Sequence, residues 1–451
     1  MKRFYAYMRL TGGVAAVWFG MMVPVIVASV GVSVDLGQSY LVRERLSQAL
    51  DAAALAAAAS ASEDEGAIAD KIRNFIEANY PPGRVGYTTD IEVVNTHDTL
   101  FAMASARLDT SFMRVFGIDT VDISVETEVT KEVKAIEVVL VMDVTGSMTT
   151  RSGGKTRLQS LKDAAELFVE TMFMRVNDTD MIKIGLVPFS AAVNVGSYGL
   201  GYTPDGSYYG SPFIRNPHNI AYYNYTGGNP SSAIKRRWWG CTIEGATPRD
   251  RQDHAGPWDL YRYCRRTSDD SVRCDTGNAN NDANIGCPAS VVTPMTNDKN
   301  ALLDGIDGLN AAGNTYINIG LVWGYRMISP DFPFQEAEEW DNEDWKKAIV
   351  LMTDGVNQPH PYYSAHGLSS GSGISTNTLN TRMLQICSEL KEKNVLVYTI
   401  TFDSGVNAAT KTLFRQCATQ PGMWYDAPSD EKLQEVYLTI AKELANLHLS
   451  K

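Results

Sequence analysis

Residues 136–148 read IEVVLVMDVTGSM. The first seven are apolar except Glu137, and most are β-branched. Such a run reads as a strand buried on both faces, the mark of a central strand in a parallel sheet. It ends in Asp143, and the hydroxyls of Thr145 and Ser147 follow within one turn. In open α/β sheets, ligands bind beyond the carboxyl ends of the strands, so these three residues stand where a site is expected.

Two further pieces fit the same edge. Gly313-Asn314-Thr315 offers a hydroxyl after a helical segment, and Leu351-Met352-Thr353-Asp354-Gly355 is a buried strand ending in a carboxylate. The set Asp143, Thr145, Ser147, Thr315 and Asp354 is all oxygen, which suits a hard divalent cation: Mg²⁺, or Mn²⁺ or Ca²⁺. With hydroxyls bound directly and carboxylates reaching through water, the cation stays electron-poor. An acidic side chain from a partner protein would complete its coordination.

The flanks extend the alternation. Residues 158–173 and 379–394 and the stretch 430–447 have helical patterning; 181–190, 345–355 and 394–402 read as strands. Strands alternating with helices predict an α/β fold with a parallel, doubly wound sheet over residues 135–449. Residues 196–293 interrupt it. This segment is rich in Gly, Asn, Tyr and Trp, lacks long periodic runs, and reads as an ordered insertion or functional loop. It mixes cations with aromatics at Lys235-Arg236-Arg237-Trp238-Trp239 and Tyr261-Arg262-Tyr263. That pattern fits a nucleic acid, a protein or glycan surface, or a loop packed on itself. An extracytoplasmic location disfavours the first.

Residues 10–34 carry no charge, a run long enough to cross a bilayer as a helix. It exceeds the apolar core of a cleavable signal peptide and lacks a small-residue cleavage pattern, so an uncleaved anchor is expected. Lys2, Arg3 and Arg9 precede it, which places residues 1–9 in the cytoplasm and the bulk of the chain outside it. Alanine-rich sequence from Ala49 to Ala59 continues the helix, either as helix alone or as a close packing face. A second helix is expected from an N-cap at Ser62, with Ile68, Ile72, Phe75 and Ile76 on one face, ending at Pro81-Pro82-Gly83. Residues 90–95, 101–108 and 121–133 read as strands, so residues 35–133 outline a pilin-like α+β stalk.

Composition narrows the function classes. The chain has 451 residues and a net charge of −12, a poor basis for general nucleic-acid binding. Six histidines are scattered without metal-site spacing, and no phosphate-binding glycine loop stands in the right context. Cys241, Cys264, Cys274 and Cys287 can pair in three ways, and their spacing lacks the C-x-x-C of a structural zinc site. Cys387 and Cys417 are expected to pair in an oxidising compartment.

Asp143-x-Thr145-x-Ser147, then Thr315, then Asp354 resembles the metal-ion-dependent adhesion site (MIDAS) of von Willebrand factor A domains, with Thr145 where serine is usual. Asp35-Leu36-Gly37 and Leu46 through Ala57, following a membrane run, resemble the start of TadE/TadG-like proteins of tight-adherence (Flp-type) pili. Gly12-Gly13 is not expected to be processed by a prepilin peptidase, because Trp18 stands where such substrates place glutamate. The resemblance implies a non-enzymatic protein of the bacterial inner membrane, its bulk periplasmic or reaching the cell surface. It would serve pilus assembly or adhesion, with other pilus components and a carboxylate-bearing protein as partners. Alternatives are an A-domain subunit of an ATPase chaperone system, and a surface adhesin unrelated to pili.

Overall fold

One uninterrupted helix, α1 (Lys2–Ala58), carries both the charge-free run and the alanine-rich run in a computed structural model of the chain, and it continues through Pro24. The structure describes all residues except 1, 59–64, 80–86, 96–98, 131–133, 153, 177, 217–218, 236, 262–263, 267–271, 275–283, 285, 361–362, 369–373 and 449–451. The expected N-cap at Ser62, the stop at Pro81-Pro82-Gly83, and Arg236, Arg262 and Tyr263 lie outside the described residues. Two compact units result, Met1–Val133 and Lys134–His448.

In the first unit, α2 (Glu65–Asn79) and the last third of α1 cover an antiparallel sheet of β1 (Tyr87–Asn95), β2 (Thr99–Asp109) and β3 (Thr120–Thr130). Alternation decides which side faces inward. Leu100, Ala102, Ala104 and Ala106 on β2 are buried, as are Val42, Leu46, Leu50, Ala53, Ala54 and Ala57 on α1. Ala52, Leu55 and Ala56 are exposed. The alanine run is therefore a packing face: Ala53, Ala54 and Ala57 are buried in one core with Ala102, Ala104 and Ala106 of the sheet. Among the described residues, α1 is the one helix long and apolar enough to cross a membrane.

In the second unit a six-stranded sheet is built on β4 (Ala135–Asp143), every residue of which is buried. The remaining strands are β5 (Ile182–Phe189), β6 (Thr293–Thr296), β7 (Trp345–Thr353), β8 (Leu396–Phe402) and β9 (Trp424–Ala427), in the spatial order β6-β5-β4-β7-β8-β9. Five are parallel; β6 runs antiparallel to β5 at one edge, a departure from the all-parallel expectation. Ile136, Val138, Leu140 and Met142 project into a core shared with α3 (Arg157–Arg175) and the C-terminal helix Asp430–His448. Val139 and Val141 project to the other face, against α4 (Ile317–Ile328). Glu137, the charge inside this strand, stands opposite Lys347 of β7 and is paired with its ammonium; it also accepts the Glu338 N–H at 2.8 Å.

The insertion folds onto the α4 face. Phe213, Trp238, Trp239, Trp258 and Tyr261 are buried in the same core cluster as Trp323 of α4. Their aromatic faces are thus used internally. Cys241 and Cys287 are disulfide-bonded, with Cα atoms 5.8 Å apart. The strands Cys264–Arg266 and Val272–Cys274 pair with Cys264 opposite Cys274. A second disulfide joins Cys387 to Cys417, tying helix Thr376–Glu392 to helix Ala408–Cys417. A buried ion pair locks the insertion down: Arg326 of α4 donates to Glu244 Oε2 at 2.9 Å, Trp323 Nε1 donates to Oε1 at 2.7 Å, and the guanidinium lies over the rings of Trp258 and Trp323. Beside it, His366 is buried within 3.2 Å of the Arg382 guanidinium and 3.9 Å of Asp250. Burial and that cation hold its pKa down at about 3.

Two outcomes follow. Glu244→Ala would leave Arg326 charged and buried without its partner, so urea unfolding should show a loss of about 3–5 kcal/mol; an unchanged midpoint would contradict the lock. His366 stays neutral in the fold at pH values where the unfolded chain, with a pKa of about 6.5, takes up a proton. Stability attributable to it is therefore lost as pH falls from 6.5 towards 3, by at most about 1.4 kcal/mol per pH unit. Denaturation at pH 6.5 and 4.5 should show a smaller loss for His366→Asn than for the unaltered chain.

Candidate metal centre

The strand order places the site. From β4 the chain moves outward to β5 on one side, then returns to β7 on the other. The crevice between β4 and β7 is therefore the point where strand order reverses, the place where such sheets bind ligands. The two strands pair with Met352 opposite Met142, so Asp143 emerges level with Thr353, and Asp354 follows one residue beyond on the adjacent strand.

Four of the five expected residues form one hydrogen-bonded chain. Asp143 is fully buried; its Oδ1 accepts the Thr145 N–H at 2.9 Å and its Oδ2 accepts the Thr353 hydroxyl at 2.6 Å. The Thr145 and Ser147 hydroxyls lie 3.0 Å apart, and the Ser147 hydroxyl donates to Asp354 Oδ1 at 2.6 Å. The fifth, Thr315, is buried on the loop that leads into α4, and its carbonyl accepts the Gln358 N–H at 2.9 Å. No hydrogen bond joins its hydroxyl to the other four among the described residues. Its loop nevertheless belongs to the site, because the Gly146 N–H donates to the Gly313 carbonyl at 2.9 Å. Gly313 sits at φ +82°, and a Cβ there would come within 3.0 Å of Ser190 Oγ and 3.1 Å of the Gly286 carbonyl. The insertion thus borders the turn directly.

Burial, then repulsion from Asp354, pushes the Asp143 carboxyl up to about 7, against the pull of its hydrogen bonds. Positive charge reaches the pair from one side: Arg157 donates to Asp354 Oδ2 at 2.9 Å and bridges at the same distance to Asp403, just beyond β8. Two buried carboxylates and neighbouring hydroxyls, that of Ser147 on an exposed residue, fit a hard cation, which would relieve that repulsion. Among the described residues no group of three or more His, Cys, Asp or Glu is placed to hold a metal ion, so any cation here depends on hydroxyl oxygens.

Arg157, Thr353 and Asp403 were not anticipated as site residues. Asp403 carried a usable signal, a carboxylate immediately after a buried strand; Thr353 stood inside the strand that ends at Asp354, hidden by its apolar neighbours.

Residues 138–198 match the family model for the von Willebrand factor type A domain, and residues 12–60 match that for Flp pilus-assembly TadE/G-like proteins. Residues 138–198 are thus similar to that domain, and residues 12–60 to that Tad-like region. No curated protein matches the chain. Among solved structures, the pilus adhesin SpaC from Lactobacillus rhamnosus GG is similar at 14% identity, covering 81% of this chain and 35% of its own, with a TM-score of 0.37. The vWF domain of the type V pili tip protein Mfa5 from Porphyromonas gingivalis is similar at 12% identity, covering 71% and 97%, with a TM-score of 0.38. Proximal thread matrix protein 1 from the mussel byssus, with a zinc-occupied MIDAS motif, is similar at 14% identity, covering 71% and 47%, with a TM-score of 0.32. This chain spans about a third of the length of the SpaC chains.

Thr353→Val keeps the side-chain shape but removes the donor from buried Asp143 Oδ2. Without added cation, the expected cost is about 1–3 kcal/mol in urea unfolding; a neutral result would show that this bond does not hold the carboxylate.

Proposed function

We propose that the chain is a membrane-anchored pilus assembly or adhesion protein whose von Willebrand A domain binds a partner protein through a divalent cation. The observation that carries this reading is the continuous chain of oxygen donors from the end of β4 to the end of β7. Asp143, Thr145, Ser147 and Asp354 lie along it, and Thr315 is on the adjoining loop. The cation, Mg²⁺ in the first instance, would supply Lewis acidity towards a carboxylate of the partner. The protein's share is to orient hydroxyls and to hold two buried carboxylates at the ends of β4 and β7, beside the Gly313 loop.

On this reading the protein binds and does not turn over a substrate. Asp143 and Asp354 are committed to Thr353, Ser147 and Arg157, which leaves neither free as a general base. The Tad-like match and the apolar α1 support anchoring in the bacterial inner membrane, with the N-terminus cytoplasmic and both units periplasmic. The disulfides suit that compartment. Other pilus components are the partners the Tad-like region fits best.

The test is a Mg²⁺ titration by calorimetry, paired with a pull-down from a membrane extract in Mg²⁺ and in EDTA. Binding heat should disappear in Asp143→Ala, and a partner should be retained with Mg²⁺ alone. Equal affinity in the variant would refute the metal site. Equal retention in EDTA would move partner binding away from it.

A further inference from the structure

The geometry points to a second contact with the bilayer beside α1: the turn joining β2 to β3, residues 110–119, enters the phospholipid phase as an apolar wedge. This rests on the reading of α1 as a membrane anchor and goes beyond it, because the turn belongs to the folded unit and lies far from α1 in sequence.

Two residues of α1 dock the turn. Gly31 leaves room for Phe112: a Cβ at position 31 would lie 2.7 Å from the Phe112 side chain. One helical turn further on, the buried Asp35 carboxylate accepts the N–H groups of Ser111, Phe112 and Met113 at 3.1, 2.8 and 2.6 Å. So held, the turn faces the charge-free run, and an apolar cleft of about 470 Å³ opens between Pro24, Val25 and Val27 of α1 and Phe112, Val115 and Phe116 of the turn. Pro24 precedes Val34, the last residue of the charge-free run, by ten residues, so at 1.5 Å per residue the cleft reaches about 15 Å into the segment read as membrane-spanning.

The turn has the properties a bilayer demands. Its large side chains point outward: Val115 is 79% exposed, Phe116 60%, Phe112 45% and Ile118 43%. On a protein surrounded by water that patch would be an unmet apolar surface. Its backbone is largely satisfied from within. Beyond the three amides taken by Asp35, the Val115, Gly117 and Ile118 N–H groups donate to Phe112, Arg114 and Met113 carbonyls, and Thr110 donates both its N–H and its hydroxyl to the far side of the turn. Lipid tolerates backbone only in that condition. A protein partner adding a strand would instead need free edge groups. Two charges lie on the turn, and neither opposes insertion. Asp119 stands at its foot, next to β3, and Arg114 has a stem long enough to return its guanidinium to the phosphate level.

The experiment uses the full chain in liposomes of phosphatidylethanolamine and phosphatidylglycerol, with the photoreactive residue p-benzoylphenylalanine placed at position 116, 25 or 94 in separate samples. Position 25 reports the helix, and Val94 is an exposed apolar residue on β1. The expected result is a lipid adduct at 116 comparable to that at 25 and absent at 94, and loss of the adduct at 116, with that at 25 retained, when Gly31→Leu displaces the turn. A lipid adduct at 25 with none at 116, or a protein adduct at 116, would overturn the wedge while leaving the anchor standing. No lipid adduct at either position would overturn both. An adduct at 116 that survives Gly31→Leu would overturn the docking by Gly31.

Discussion

The pairing of β4 with β7 is the constraint on which the second unit depends. A register that sets Met142 opposite Met352 brings two carboxylates to one crevice and puts Lys347 opposite Glu137 at the strands' other end. Shifting a strand by one residue would turn every side chain to the opposite face. The pairing is protected against such a slip because both faces of β4 are buried and each meets a different layer of helices. The ion pair inside the sheet adds a further penalty, since a slipped register would leave a charge buried without its partner.

Around that register the insertion acts as a third wall. Its tryptophans and the Glu244–Arg326 pair extend the core outward from α4, and Gly286 closes against Gly313 at the candidate cation turn. The segment that looked least regular thus borders the loop that carries Thr315. Phe213, Trp238, Trp239, Trp258 and Tyr261 are consumed by this packing, whereas Tyr202 and Tyr208 stay exposed. Trp238 and Tyr261 are 1% exposed, which leaves no ring face for stacking an incoming base.

Much of this was legible in the residues. The apolar run before Asp143, the Thr353-Asp354 strand end and the amphipathic helices announced a doubly wound sheet and four residues of its crevice. The charge-free N-terminal run likewise announced a long helix. What escaped has physical causes. Helix α4 is buried on every side, so it has no polar stripe for periodicity to find. Strand β6 is a four-residue edge containing Pro294, below the length at which alternation means anything. Arg157 and Asp403 come together only after α3 and β8 are placed; helical spacing predicts neighbours three or four residues apart, and these two are about 250 residues apart. The alanine run could be read as helix or as contact surface; its burial in one core with residues of β2 and β3 settles the choice, and those lie more than forty positions downstream.

The continuity of α1 has a mechanical consequence. The same rigid rod that carries the charge-free run supplies Val42, Leu46, Leu50 and Ala54 to the core of the first unit. A tensile load applied along its axis cannot peel the helix from the sheet one residue at a time. It must shear the whole row of contacts together, with the Asp35 carboxylate and its three amides stretched in the same instant. A helix embedded this way resists traction in proportion to the length of its embedded face.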